Sequence, residues 1–258
     1  MIIDGVAYLG HWPFRQLHHN TAETMLEWMD SSHIDAACVS SINSVFYKDV
    51  MNGNLELFEE VRKFPERLIP FAVINPEYPG WKKDFDVCIH ELGMKGIEIY
   101  PNYHNYAPDS PNLKELMEMA ADAGIPVRIS TRLVDIRGRH WMDTPENISG
   151  EDVEKMIALC PRTNFLICSC NTASLAKKLK PLTEKREGKV LYDFSRLDNF
   201  SFMLTFQSLM ETVGADSVVF GTGMPFQYPD PQFVKLYFMN FTPEELEKIT
   251  SENLKTIL

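Results

Sequence analysis

The chain has 258 residues, 45% hydrophobic and 24% charged, with a formal charge of −11 at pH 7. That length and balance suit one soluble domain with an ample core, and the acidic surplus argues against nucleic acid or an anionic membrane as a partner. No apolar run approaches the roughly 20 residues that span a bilayer, and the opening MIIDGVAYLGHW lacks a basic segment followed by an apolar one, so no signal peptide is expected.

In chain order, short apolar or β-branched runs alternate with amphipathic segments. Strands are predicted over 2–9, 35–41, 68–75, 94–100, 125–130, 164–169, 189–195 and 217–221. Helices are predicted over 21–32, 55–63, 81–92, 112–123, 151–159, 173–179, 202–213 and 243–258, the first and last introduced by Thr21 and Thr242 as caps. Eight strands alternating strictly with eight helices predict a (β/α)8 TIM barrel, with residues 1–258 as a single domain. An open doubly wound sheet is the alternative, but no Gly-rich phosphate loop follows any strand.

A barrel places its chemistry where the strands end. Side chains alternate along a strand, so Glu98 and Tyr100 share one face, as do Arg128 and Ser130 on the next strand. Glu98 and Arg128 are expected to face inward and to pair, either as part of a site or as a structural ion pair filling the upper layer. Of the seven histidines, His18, His19, His33 and His90 read as surface residues. His11, His104 and His140 follow strands 1, 4 and 5 on the functional rim, where each could act as acid, base or anion donor. No H-x-H or H-x-x-x-H spacing occurs.

The segment STRLVDIRGRHWMD (130–143) is locally basic through Arg132, Arg137, Arg139 and His140, with Trp141 as an apolar plate. This composition suits a lid over a small anion; the alternative is a solvated loop whose Arg137 and Arg139 pair with nearby acids. The five cysteines, Cys38, Cys88, Cys160, Cys168 and Cys170, are odd in number, and several lie in apolar segments. They point to reduced thiols in a cytoplasmic protein. Cys168 and Cys170 are two apart on the sixth strand and are expected to pack outward beneath the helices. Neither a G-x-S-x-G elbow nor a dinucleotide fingerprint is present.

Five ordered segments carry a family resemblance: IID at the start, 93–131 from GMKGIEIY to RIST, VLYDFSRLD (190–198), VVFGTGMPF (218–226) and ITSENLKTIL (249–258). Over its whole length the chain resembles the amidohydrolase-related TIM-barrel proteins, predicted metal-dependent hydrolases that include some decarboxylases. The resemblance implies five metal ligands. Its opening histidine pair falls on Val6 and Tyr8, the histidine ending strand 5 on Ser130, the histidine ending strand 6 on Ser169, and the strand 8 aspartate on Gly223. None of these residues is an effective ligand for a divalent metal. Glu98 and Tyr100 stand where many relatives carry Lys and His.

The expectation is therefore a hydrolase-family protein that has given up the metal centre and takes no cofactor. It acts on or binds a small anionic molecule at the C-terminal mouth of the barrel. As an enzyme, working without a metal or with one bound in a new way, it would use Glu98 or His104 as acid or base, with Tyr8, His11, Tyr100, Arg128, Ser130, Arg132, His140 and Ser169 around the substrate. The alternatives are a non-catalytic small-ligand-binding or regulatory protein, and a structural partner of an active paralogue. A homo-oligomer is compatible with the sequence, which does not specify one.

Overall fold

A computed structural model describes residues 1–169, 172–196 and 202–258. Eight parallel strands run in sequence order: β1 (Ile3–Leu9), β2 (Ala36–Ser41), β3 (Leu68–Val73), β4 (Gly96–Ile99), β5 (Val127–Ser130), β6 (Phe165–Cys168), β7 (Val190–Asp193) and β8 (Val218–Val219). The sheet closes on itself. Gly5 donates its N–H to the Phe220 carbonyl at 2.9 Å, Tyr8 to Met224 at 2.8 Å, and Gly223 to Val6 at 2.8 Å. This is the (β/α)8 barrel that the alternating pattern predicts.

Around the barrel lie α1 (Ala22–Ser31), α2 (Val50–Val61), α3 (Trp81–Asp86, continuing as a π turn over Val87–Glu91), α4 (Pro111–Asp122), α5 (Gly150–Ala158), α6 (Thr172–Thr183) and α7 (Phe202–Val213). Their starts follow capping chemistry: the Thr21, Ser110 and Ser149 side chains accept N–H bonds from the first turns of α1, α4 and α5. An eighth helix, α8 (Asp230–Phe238), was not expected, because Tyr228-Pro229-Asp230-Pro231 reads as loop chemistry. Proline is nonetheless well placed in a first helical turn, and Phe233 and Leu236 supply the core-facing contacts. The closing segment then runs as α9 (Pro243–Glu247), a π turn over Lys248–Glu252, and a last turn Asn253–Lys255.

Alternation within the strands makes two apolar layers. Ile97, Ile99, Val127, Ile129, Phe165 and Ile167 face the helices, while Phe71, Val73, Leu166, Leu191 and Val219 fill the interior. Cys168 belongs to the interior group with Leu166 and Cys38, which corrects the outward packing expected for it. The reason is parity: β6 begins with Phe165 outward, so even-numbered positions point in. Cys170 lies outside the described residues. No helix among the described residues is long and apolar enough to cross a membrane.

Candidate functional site

The register of the strands assembles the upper interior. Glu98 and Arg128 are direct partners across β4 and β5, and both are fully buried. Arg128 donates to Glu98 Oε2 from Nε at 3.0 Å and from Nη2 at 2.6 Å. Ser40 on β2 donates to the same oxygen at 2.5 Å, and Ser130 donates to Oε1 at 2.6 Å. The Ser130 hydroxyl also lies 2.7 Å from the Tyr8 hydroxyl. Nη1 donates to the carbonyls of Gly5 and Cys38, each at 2.9 Å, and Nη2 also donates to the Ser40 hydroxyl at 2.8 Å. Arg128 is sandwiched between the rings of Phe71 and Tyr8, at 5.0 and 5.3 Å from their centroids. The Tyr100 hydroxyl lies near Ser40 without meeting hydrogen-bond geometry.

Every side chain of this network is buried. Burial by itself opposes the charge of Arg128, but the Glu98 carboxylate, with smaller effects of Tyr8, Cys168 and Tyr100, holds its pKa above the ordinary value. Burial first, and Glu98 second, push the Tyr8 and Tyr100 phenols well above theirs. All three groups therefore keep their usual protonation states near neutrality.

An aromatic cover closes the mouth above the network. Phe226 packs edge-on against Tyr8 with ring centroids 5.5 Å apart, and Trp12 packs on Phe226 at 5.0 Å. Trp12, only 2% exposed, is itself ringed by Phe14, Phe46 and Tyr103. Arg128 from below and these rings from above thus fill the barrel mouth at Tyr8. Sequence reading put Glu98, Arg128, Tyr8, Tyr100 and Ser130 together, as the structure does. It missed the cover, because single aromatics in loops carry no periodic signal.

The other predicted site residues lie apart from this network. His11 is exposed, with its backbone N–H on Asn43 Oδ1 at 2.8 Å. His140 stacks on Phe14 at 5.5 Å, outside the cover. His104 sits on the short turn Pro101–His104; its Nε2 donates to the Ser44 carbonyl at 3.2 Å, and burial lowers its pKa to about 4. The 132–143 loop folds on its own acids. Arg137 pairs with Asp135 at 2.8 Å and Arg139 with Asp143 at 3.1 Å, while Trp141 points to solvent.

Arg132 and Ser169 meet elsewhere. Arg132 Nε donates to the Ser169 carbonyl at 3.2 Å, and both residues line an open cleft of about 620 Å³ between the ends of β5, β6 and β7. Thr131, Asn147, Ser174, Lys178 and Arg196 also line it, and none of the described lining residues is acidic. The first turns of α5 and α6 border the cleft through Gly150 and Ser174. Ser169 has φ of 59°, the left-handed region, which re-aims the chain as β6 ends. Lys178, on a helix, was not a sequence candidate; Arg196 was legible only as a residue following a strand.

The five positions implied as metal ligands were tested against what the structure places there. Val6 and Tyr8 are buried on β1, with Tyr8 bonded to Ser130. Ser169 turns into the cleft. Gly223 has φ of 75°, and a Cβ there would come within 2.7 Å of Gln227 Nε2. Among the described residues, no group of three or more His, Cys, Asp or Glu side chains could hold a metal ion. The donor set does not fit a divalent metal.

Asp4, part of the family's opening Ile-Asp, has a structural task. It accepts N–H bonds from Val6 and Thr222, both at 2.9 Å, and is hydrogen-bonded to the Thr222 hydroxyl, tying β1 to the chain after β8. Burial, partly offset by these bonds, raises its pKa to about 7.

Solved structures share this architecture. A 2,6-dihydroxybenzoate decarboxylase from Rhizobium aligns at 16% identity with a TM-score of 0.73, covering 99% of this chain and 98% of that one. A 5-carboxyvanillate decarboxylase from Sphingomonas paucimobilis aligns at 13% identity and TM-score 0.72, covering 99% and 98%. A 4-oxalomesaconate hydratase from Rhodopseudomonas palustris aligns at 15% identity and TM-score 0.68, covering 100% and 95%. No curated protein matches the sequence. The Amidohydrolase family matches residues 41–253, most of the chain, and this protein therefore belongs to the amidohydrolase family.

Proposed function

We propose that this protein binds a small anionic molecule at the C-terminal end of its barrel, without the metal-centred hydrolysis implied by its family resemblance. The observation that carries the reading is the occupancy of Glu98. Both carboxylate oxygens are engaged, by Arg128 and Ser40 on one side and by Ser130 on the other. The Arg128 guanidinium, its charge balanced by Glu98, cannot activate water as a Lewis acid does. The structural neighbours named as decarboxylases of dihydroxybenzoate and carboxyvanillate, and as a hydratase of oxalomesaconate, support a small acid as the ligand class.

The network's task is then to hold the top of the barrel rigid beneath the rim, where cationic side chains face solvent. An enzymatic version, with Glu98 or His104 as acid or base, requires substrate to pass Phe226 and Trp12 before it can reach Glu98. Elemental analysis of protein purified without chelator tests the metal-free part of this reading. The expected result is less than about 0.1 equivalent of zinc, iron or manganese per chain, since hydroxyls alone ligate these ions poorly. One equivalent bound would overturn it.

A further inference from the structure

We propose that the cleft between the ends of β5, β6 and β7 binds the phosphoryl group of a small phosphate monoester, held by Arg132, Arg196 and Lys178. The inference rests on the anion-binding reading and names its site and chemical class. In a protein of net charge −11, this cleft is lined by three cations and, among the described residues, by no carboxylate. The lining therefore gathers positive charge on one concavity, although Asp135 and Glu154, outside the lining, pair with Arg132 and Lys178.

The geometry favours a dianion with several oxygens over a single carboxylate. A monocarboxylate is satisfied by one arginine fork, whereas a phosphoryl group presents three terminal oxygens and about two negative charges. Arg196 is only 7% exposed and donates to the Leu133 carbonyl, so its guanidinium is held in place at the cleft wall. Arg132 is held by the Ser169 carbonyl at 3.2 Å and by Asp135 at 3.6 Å. Lys178 is exposed and pairs with Glu154 at 3.1 Å, a surface pair weak enough to yield to a dianion. Hydroxyl and amide donors are present at Ser174 and Asn147. The first turn of α5 already holds Glu151 and Asp152, so its dipole adds little and the cations carry the site. Ile148 and Leu175 form an apolar wall that suits the organic part of a monoester.

The test is calorimetric titration of the full-length protein, in buffer free of phosphate and metals, with inorganic phosphate, phenyl phosphate and benzoate. Both phosphates should bind saturably, with phenyl phosphate the tighter because of the Ile148 and Leu175 wall. Arg132→Gln and Lys178→Gln should each weaken both about ten-fold, the loss expected for one charge-assisted contact. Lys255→Gln, an equal charge change on an exposed residue paired with Glu252, should leave both unchanged. Failure of either phosphate to bind at millimolar concentration, or equal affinity in all variants, overturns the assignment. Benzoate binding that ignores the cleft variants would reject this site and leave the anion reading standing. Benzoate binding that is lost in them, with no phosphate binding, would keep the cleft and reject the phosphoryl class. If none of the three ligands binds, both readings fall.

Discussion

Replacing Arg128 with methionine keeps much of the aliphatic stem and removes the guanidinium. Glu98 then keeps only the hydroxyls of Ser40 and Ser130, in an interior with no exposed surface, and the carbonyls of Gly5 and Cys38 lose their donor. Stranding one member of a buried pair costs about 3–5 kcal/mol, and for a chain of this size that corresponds to roughly 6–20 °C in Tm. Glu98→Gln should fall in the same range, because a neutral amide cannot balance the buried guanidinium. The double variant should lose less than the sum of the two, with a coupling energy above about 1 kcal/mol. Urea denaturation of the four proteins measures this directly. Single-variant losses below about 1 kcal/mol, or strict additivity, would refute a charge pair that holds the barrel axis.

Much of this network was legible in the sequence, and the reason is periodicity. Two-residue alternation placed Glu98 with Tyr100 and Arg128 with Ser130 on inner faces, and neighbouring strands did the rest. The same logic misplaced Cys168, because nothing in NFLICS says which parity faces in. The aromatic cover, α8 and the β5–β7 cleft were not legible for a different reason. The cover and the cleft are built by loops or helix ends, whose positions depend on packing rather than on repeat, and the Pro229-Asp230-Pro231 start disguises α8 as a loop. Trp12 closes the mouth only because Phe14, Phe46, Tyr103 and Phe226 arrive from four separate segments. Ser169 and Gly223 were singled out by resemblance, and the structure adds that both have left-handed backbones.

Three further outcomes follow from the geometry. Gly223→Asp should restore no metal affinity by calorimetry with manganese, and should lower stability by about 1–3 kcal/mol from its positive φ and the contact with Gln227; manganese binding in this variant would contradict the fit test. Asp4, raised to about 7, contributes stability that is present at low pH and is lost as pH rises from about 4 to 7, whereas His104, lowered to about 4, contributes stability that is lost as pH falls from about 6.5 to 4. The two slopes oppose each other in the wild type. Asp4→Asn should therefore unmask a rise of up to about 1.4 kcal/mol per pH unit between about pH 4.5 and 6 in urea titrations, and parallel curves for the two proteins would contradict it. Trp12→Ala should open the cover and cost about 3–5 kcal/mol by the same assay, and a loss under about 1 kcal/mol would show that the rings do not close the mouth.

The most direct measurement is the affinity of chelator-treated protein for benzoate and for phenyl phosphate, before and after manganese is added. Metal-independent anion binding predicts saturable binding of at least one of them in chelator and the same affinity once manganese is present. Binding that appears only with manganese would contradict it.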